Sequence, residues 1–257
     1  MKRFLKIAAL VVVVLVLVVG TLLAVTFMGR RPLTDGQEVG GGLRMIADGF
    51  SGIVMIPVGD GDVALIDAGN DQNGEAIKSE LSRRQLTPDS VTVILLTHGH
   101  PDHIGAIKAF PKAQVMALQT EVPLIEGRAG ARGPLPRMFP VSPTGISVTR
   151  ALTDGEVVTV GNVPIRVYAV PGHTTGSAAY VVNGVVMVGD SADIASDGSL
   201  QGAPWLFSDS QSDNRASLVR LEQRLTADGT AVTAIVPSHS GMASGLMPLS
   251  EFVRRNE

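Results

Sequence analysis

All five histidines of this 257-residue chain lie in short polar motifs that directly follow predicted strands. They are His98, His100, His103, His173 and His239. The apolar runs that precede them are 91–96, 163–170 and 232–236, which have the β-branched composition of buried strands. A single histidine after a strand is usually a hydrogen-bonded structural residue. Because all five histidines lie at strand ends, we expect a rigid scaffold whose loops present functional side chains.

The first motif places four candidate metal ligands in six residues, His98-x-His100-x-Asp102-His103. Histidine nitrogen and aspartate oxygen together suit Zn²⁺ and related divalent ions. Four ligands are too many for one tetrahedral ion that must keep an open position. In an extended turn, alternation directs His98 and His100 to one side and leaves Asp102 and His103 facing another point. The spacing therefore predicts two metal ions side by side.

The predicted elements alternate between groups of strands and single helices. Strands are predicted at 53–58, 63–66, 91–96, 115–118, 157–160, 163–170, 178–182, 185–188 and 232–236. Helices are predicted at 76–86, 104–110, 213–225 and 248–254. Residues 127–145, rich in glycine, proline and arginine, are typical of an irregular surface loop. Because strands cluster before a helix and the pattern then repeats, we expect two packed sheets with helices outside them.

Five motifs resemble, in order, those of the metallo-β-lactamase-fold hydrolases, including the glyoxalase II-like members. The signature is Thr97-His98-Gly99-His100-Pro101-Asp102-His103, and the other motifs lie at 63–69, 171–177, 188–190 and 238–241. The resemblance spans about residues 43–245. It implies an α/β fold, an αββα four-layer sandwich with the metal site at one edge of the two sheets. In this chain one N-terminal transmembrane helix would precede the sandwich.

The resemblance also implies a ligand set for two ions. It assigns His98, His100 and His173 to the first metal, Asp102, His103 and His239 to the second, and Asp190 as the bridge between them. Asp67 would support the metal-binding loop without ligating, because outer acceptors orient histidine ligands. Two Zn²⁺ per chain are expected, with Fe or Mn as alternatives.

The activity that the resemblance implies is metal-dependent hydrolysis. A metal-bridging hydroxide would attack a small ester, thioester, lactone or amide, and Asp102 would orient the nucleophile and carry a proton toward the leaving group. Asp190 favours the glyoxalase II, lactonase and phosphodiesterase branches over the lactamases. Phosphodiesterase or β-lactamase activity on the same fold is the alternative. An iron-containing redox member and a non-enzymatic metal-binding scaffold are alternatives of another class.

The N-terminus is long and apolar enough to cross a bilayer. Residues 7–28 form 22 uncharged positions after a short basic start. As a helix they would span about 33 Å, against a hydrocarbon core of about 30 Å. The run exceeds the apolar region of a typical cleaved signal peptide, which favours an uncleaved signal-anchor. We expect 1–31 to be a single-pass anchor in the cell membrane, 32–42 a linker, and 43–257 the hydrolase domain on the periplasmic or extracellular side.

Charge and cysteine content exclude several classes of protein. Without residues 1–31 the chain has 16 basic and 24 acidic residues, a net charge of −8, which argues against a nucleic-acid partner. The absence of cysteine excludes a disulfide scaffold, a thiolate nucleophile and cysteine-ligated zinc. We therefore expect a small-molecule substrate and, through the N-terminal helix, the membrane as the partners.

Two segments are predicted to shape the substrate pocket. One is the loop 127–145, which carries Arg128, Arg132, Arg137, Met138 and Phe139, and the other follows Asp190 and carries Trp205, Leu206 and Phe207. For Trp205, lining the pocket and capping the core are equally compatible with the sequence. Arg137 is a candidate partner for a substrate carboxylate, although an exposed loop arginine is more often solvated.

Overall fold

The computed structural model describes residues 2–256, in which two β-sheets pack face to face between outer helices. The first sheet has seven strands in chain order: β1 (Glu38–Gly40), β2 (Leu43–Asp48), β3 (Ser51–Gly59), β4 (Asp62–Ile66), β5 (Val91–Leu95), β6 (Gln114–Leu118) and β7 (Arg150–Leu152). Strands β1 to β4 pair antiparallel, and β4 to β7 pair parallel.

The second sheet is built from the C-terminal half. In chain order come β8 (Val157–Val160), β9 (Val163–Ala169), β10 (Ala178–Val182), β11 (Val185–Gly189), the separate hairpin β12 (Ala192–Ile194) and β13 (Leu200–Gly202), and then β14 (Ala234–Pro237) and β15 (Ala243–Ser244). The six-stranded sheet has the order β15-β14-β11-β10-β9-β8, in which only the pair β11 and β14 is parallel.

The described residues form six α-helices: α1 (Lys2–Phe27), α2 (Glu75–Arg83), α3 (Pro101–Ile104), α4 (Val122–Ile125), α5 (Gln211–Ala227) and α6 (Met247–Asn256). The outer face of the first sheet is covered by α2, and that of the second sheet by α5 and α6. Helix α2 buries Ile77 and Leu81 against the first sheet. Helix α5 buries Leu218, Leu221 and Leu225, spaced for one helical face, against the second sheet. A third apolar layer lies between the two sheets, so the predicted αββα sandwich is confirmed.

The sheet topology gathers the predicted motifs at one edge. Parallel strands β4 and β5 end together, so Asp67 and the motif at 97–103 leave the first sheet side by side. Parallel strands β11 and β14 likewise bring Asp190 and His239 to one end of the second sheet. The β9–β10 connection, which carries His173, joins them there.

Short elements depart from the predicted boundaries. Residues 104–110, predicted as a helix, are divided between α3 and a 3₁₀ turn at Gly105–Ala109. Within the segment predicted as a linker, Glu38–Gly40 forms the edge strand β1.

Helix α1 has the length and composition of a membrane span. Its segment Arg3–Phe27 has a mean hydropathy of 3.2 over its most apolar window, and none of that window is buried against the rest of the protein. A signal sequence shares these properties, so the helix alone is weak support for anchoring.

Candidate metal centre

Three imidazole nitrogens converge at the edge of the sandwich. The atoms His98 Nε2, His100 Nδ1 and His173 Nε2 lie 3.0–3.2 Å from one another. With zinc–nitrogen bonds of about 2.0–2.1 Å, the edge of a tetrahedron of ligands is about 3.3–3.4 Å. The three nitrogens are therefore spaced like one face of a tetrahedral site.

A second group of ligand atoms adjoins the first. His239 Nε2 lies 3.1 Å from Asp102 Oδ2, and His103 Nε2 lies 3.4 Å from the same oxygen. Asp190 reaches both groups, because its Oδ2 is 3.0 Å from His239 Nε2 and 3.5 Å from His173 Nε2. The structure thus brings together all seven candidate ligands that the sequence motifs supply.

Hydrogen bonds behind the rings determine which nitrogens face inward with a free lone pair. Thr97 Oγ1 donates to Asp67, so it accepts from His98 Nδ1–H at 3.1 Å. Ser208 Oγ donates to the Pro204 carbonyl, so it accepts from His173 Nδ1–H at 3.1 Å.

The second group follows the same rule. His103 Nδ1 bonds Asp67 Oδ2 at 2.8 Å, and His239 Nδ1 donates to the Phe50 carbonyl at 2.8 Å. Each of these four histidines therefore presents Nε2 to the site, the nitrogen that would bind a metal ion once it carries no proton.

Unpaired buried atoms also fit a cation. Among the described residues, His103 Nε2 and Asp190 Oδ1 are buried without a hydrogen-bond partner. They face each other at 3.3 Å. Burying such groups without a partner costs free energy, and a divalent ion between them would remove that cost.

The electrostatics differ between the two groups. Burial lowers the pKa of His173 to about 3 and also lowers the pKa values of His98 and His100, so these imidazoles are neutral. At His239 burial acts in the same direction, but Asp190 and Asp102 outweigh it and raise the pKa to about 10. The second group is therefore the more strongly cation-attracting of the two.

Asp67 holds the first motif from the end of β4. It is buried in a left-handed conformation with φ of 64°, and it accepts from Thr97 N and Thr97 Oγ1 at 2.7 Å as well as contacting His103. A left-handed aspartate is uncommon, and here four contacts, including one from Ser238 Oγ, fix it. The structure thus places Asp67 where the sequence expected a supporting residue.

Glu121 is a supporting residue that the sequence analysis missed. Its buried carboxylate accepts from Gly99 N and from Gly176 N, both at 2.8 Å, and so joins the first motif to the His173 loop. A Cβ at Gly99 would lie 2.9 Å from Ile125 N, and one at Gly176 would lie 2.4 Å from Glu121 N. Burial raises the pKa of Glu121 to about 7 although both hydrogen bonds oppose this. The available signal was its position, just beyond the end of β6 at the same sheet edge.

A cavity of about 590 Å³ opens above the ligands. Its floor is formed by His100, Asp102, Asp190 and His239, and its walls are Phe27, Phe50, Asn70, Pro101, Leu135, Pro136, Phe139, Pro204 and Phe207. The size is in the range of small-molecule sites, and the walls are mainly apolar. Both segments predicted to shape the pocket contribute to it.

Several predicted pocket residues lie elsewhere. Arg132, Arg137 and Trp205 line a neighbouring depression with Asp209 and Arg215. Arg132 pairs with Asp209 there, and Trp205 is 60% exposed. Arg137 is therefore not placed to pair with a group bound over the metal ligands, and Trp205 does not cap the core.

Comparison with known proteins agrees with this geometry. The family profile described as "Metallo-beta-lactamase superfamily" matches residues 48–239. The chain belongs to the metallo-beta-lactamase superfamily, whose members hold a divalent metal, typically zinc, in such His and Asp groups.

Two relatives are similar in sequence over part of the chain. The "Probable metallo-hydrolase YybB" of Bacillus subtilis is 30% identical over 135 residues, covering 50% of this chain and 56% of the relative. The "Hydroxyacylglutathione hydrolase" of Idiomarina loihiensis is 30% identical over 122 residues, covering 47% of this chain and 41% of the relative. The chain spans about half the length of each of these relatives.

Solved structures share the fold at low identity. BJP-1, a subclass B3 metallo-beta-lactamase of Bradyrhizobium japonicum, has a TM-score of 0.59 at 20% identity, covering 84% of this chain and 81% of its own. A metallo-beta-lactamase from Pontibacter korlensis has a TM-score of 0.64 at 15% identity, and the match covers 86% of this chain and 98% of its own. These similarities concern the fold.

Proposed function

We propose that this chain is a membrane-anchored hydrolase with a two-metal centre, acting on a small ester, thioester, lactone or amide. The observation that carries the proposal is the pair of adjacent ligand groups that share Asp190, each with ring nitrogens turned inward by hydrogen bonds on the outer side of the rings. A single structural ion would not need seven converging ligand atoms.

The ligand assignment follows the two groups. His98, His100 and His173 would hold one zinc ion, and Asp102, His103 and His239 the other, with Asp190 bridging. When bound, such a pair supplies a nucleophile at neutral pH and stabilises charge that develops on the scissile group.

Asp102 is suited to handle protons on the cavity side. It is part of the cavity floor, and its side chain is the most exposed of the seven, at 19%. Burial opposes ionisation, but the neighbouring imidazoles of His103 and His239 hold the pKa of Asp102 well below its ordinary value. Its carboxylate is therefore ionised, and it can orient a water and pass a proton to the leaving group.

The proposal is tested by elemental analysis together with a substrate panel. We expect two metal equivalents per full-length chain in detergent, and hydrolysis of at least one of an ester, thioester, lactone and amide. His100→Ala and Asp102→Ala should lower that rate at least a hundredfold. Asp89→Ala, which breaks an exposed ion pair with Lys112, is the matched control and should retain the rate.

Each alternative has its own result. A purified chain that contains no divalent metal by elemental analysis would refute the metal centre. Bound metal with a silent panel would indicate a scaffold, and iron with redox activity would indicate a redox member. Turnover confined to a phosphodiester or a β-lactam would assign those activities instead.

Anchoring is tested separately. We expect the full chain to stay in the membrane fraction after carbonate extraction, with an intact mass that includes residues 1–31. A mature N-terminus beyond residue 24 would show that α1 is a cleaved signal. Protease protection in spheroplasts should place the catalytic domain on the periplasmic or extracellular side.

A further inference from the structure

The C-terminal end of α1 is fixed to the catalytic domain beside the metal centre. The Gly29 carbonyl accepts from Ser196 N at 2.7 Å, Arg31 N donates to the Ile194 carbonyl at 2.8 Å, and Gly241 N donates to the Arg31 carbonyl at 2.8 Å. Gly241 lies two residues after His239. The helix therefore ends at the ligand-bearing edge and does not hang from a free linker.

A buried ion pair strengthens this attachment. Arg30 Nη2 lies 2.8 Å from Asp193 Oδ2, and both side chains are buried. The Arg30 guanidinium also lies over the Phe27 ring, 4.5 Å from its centroid. Arg30 thus holds the last residue of α1 in a defined position.

That last residue forms part of the cavity wall. The Phe27 ring lies 5.9 Å from the Phe207 ring and 6.4 Å from the His239 ring, measured between centroids. Phe27 ends the apolar helix, so in an anchored chain it lies at the boundary of the hydrocarbon region. The cavity that it lines must then open at that boundary.

The rim around the cavity has the composition of a membrane interface. Phe50 and Phe139 line the cavity, Met138 and Trp205 lie in two of the loops that form its walls, and all four are more than half exposed. Arg137 lies beside Trp205 in the neighbouring depression. Tryptophan and basic residues around an apolar surface are typical of protein segments at the headgroup level.

We propose that the substrate is an amphiphile of the bilayer whose acyl chain occupies the cavity between Phe27, Phe50, Phe139 and Phe207. Its ester or amide carbonyl would then meet the polar floor at Asp102 and His239. Water adds across the scissile C–O or C–N bond and gives a carboxylic acid and an alcohol or amine. This inference rests on the proposed hydrolase function and on anchoring through α1.

The kinetic test compares acyl chain lengths on one leaving group. Full-length chain in phosphatidylcholine nanodiscs is assayed with p-nitrophenyl acetate and p-nitrophenyl palmitate. We expect kcat/KM to favour the palmitate, and Phe27→Ala to lower the palmitate-to-acetate ratio about tenfold, because the acyl chain would lose its apolar contact with the phenyl ring. Phe4→Ala, the same change at the opposite, exposed end of α1, is the control and should keep the ratio. A preference for acetate, or an equal ratio in both variants, would overturn the proposal.

A second test reports placement without requiring activity. Trp205 is the single tryptophan, so its fluorescence reports the rim alone. In vesicles of brominated phosphatidylcholine we expect Trp205 to be quenched strongly by lipids brominated near the headgroup end of the acyl chains. Quenching by aqueous iodide alone would overturn the proposal. A chain that hydrolyses neither ester but shows lipid quenching would contradict the ester branch of the proposed function and leave the membrane-facing rim supported.

Discussion

Replacing Arg30 with methionine is expected to destabilise the folded chain by about 3–5 kcal/mol, the usual result of removing one partner of a buried ion pair. Arg30 Nη2 and Asp193 Oδ2 are 2.8 Å apart, and the two side chains are 8% and 5% exposed. Methionine keeps the apolar length of the side chain but leaves the Asp193 carboxylate buried without a counter-ion. The shift in Tm for a chain of this size is about 10 °C.

The loss of stability caused by Arg30→Met should be larger at high pH than at low pH. Burial raises the pKa of Asp193 from 3.8 to about 6, although Arg30 opposes the rise. Because the pKa of Asp193 is higher in the folded chain than in the unfolded chain, ionising this carboxyl lowers the free energy of unfolding. The loss is about 3 kcal/mol and develops as pH rises from 3.8 to 6. Without Arg30 the pKa rises further. At pH 5 the carboxyl is mostly protonated in both proteins, so Arg30→Met should cost much less there than at pH 8.

A double-mutant cycle with Asp193→Asn measures the pair. Arg30 Nη1 and Asp193 Oδ1 are buried without hydrogen-bond partners among the described residues, so the pair is incompletely satisfied. The double variant should therefore be more stable than Arg30→Met alone. Unfolding is followed in urea by Trp205 fluorescence on the full chain in detergent.

An exposed pair supplies the control for this cycle. Lys112 lies 2.6 Å from Asp89, both side chains are exposed, and Lys112→Met should cost less than about 1 kcal/mol. If Arg30→Met cost no more than this control, or cost the same at pH 5 and pH 8, the end of α1 would not be fixed as described.

Three further outcomes follow from the same contacts. Asp67→Asn keeps a residue that tolerates positive φ but weakens the acceptor of His103, so metal affinity by chelator competition should fall about 10–100-fold. Glu121→Ala removes the acceptor that holds the loops of Gly99 and Gly176 together. It should weaken metal binding about as much as Asp67→Asn and leave the circular dichroism spectrum unchanged. Glu126→Ala is the control. Burial raises the pKa of Tyr180 and raises that of Tyr168 to about 12. Absorbance at 295 nm should therefore show no tyrosinate at pH 10.5 until the chain unfolds. Because the unfolded tyrosines ionise more readily, the free energy of unfolding should fall above pH 10.

The sequence predicted the fold and the convergence of the histidines because both depend on short-range patterns. Apolar β-branched runs identified the buried strands, and each ligand motif began where such a run ended. The short strands β1, β7, β12, β13 and β15 were missed, since segments of two or three residues carry too little periodicity to be distinguished from turns. The six-residue strand β2 was missed as well.

Contacts between distant segments could not be predicted in this way. The Arg30 and Asp193 pair joins residues separated by 163 positions, and Phe27 reaches a cavity whose other walls come from loops around 50, 139 and 207. In the sequence, Arg30 is indistinguishable from a basic flank of a membrane segment. In the structure, the β-bridge between Arg30 and Ala195 and the ion pair with Asp193 show that Arg30 belongs to the domain.

Two buried carboxylates that are not candidate ligands explain why the ligand atoms converge. Asp67 joins the end of β4 to Thr97 and His103, and Glu121 joins that same motif to the loop of His173. Both accept from backbone N–H groups, so they fix the loops themselves and not only the side chains. The ligand geometry is thus set by hydrogen bonds within the protein, which is the preorganisation that a catalytic metal centre requires if its ligands are to keep an open position. Exchanging either carboxylate should therefore change the spacing between the two ligand groups before it changes the fold.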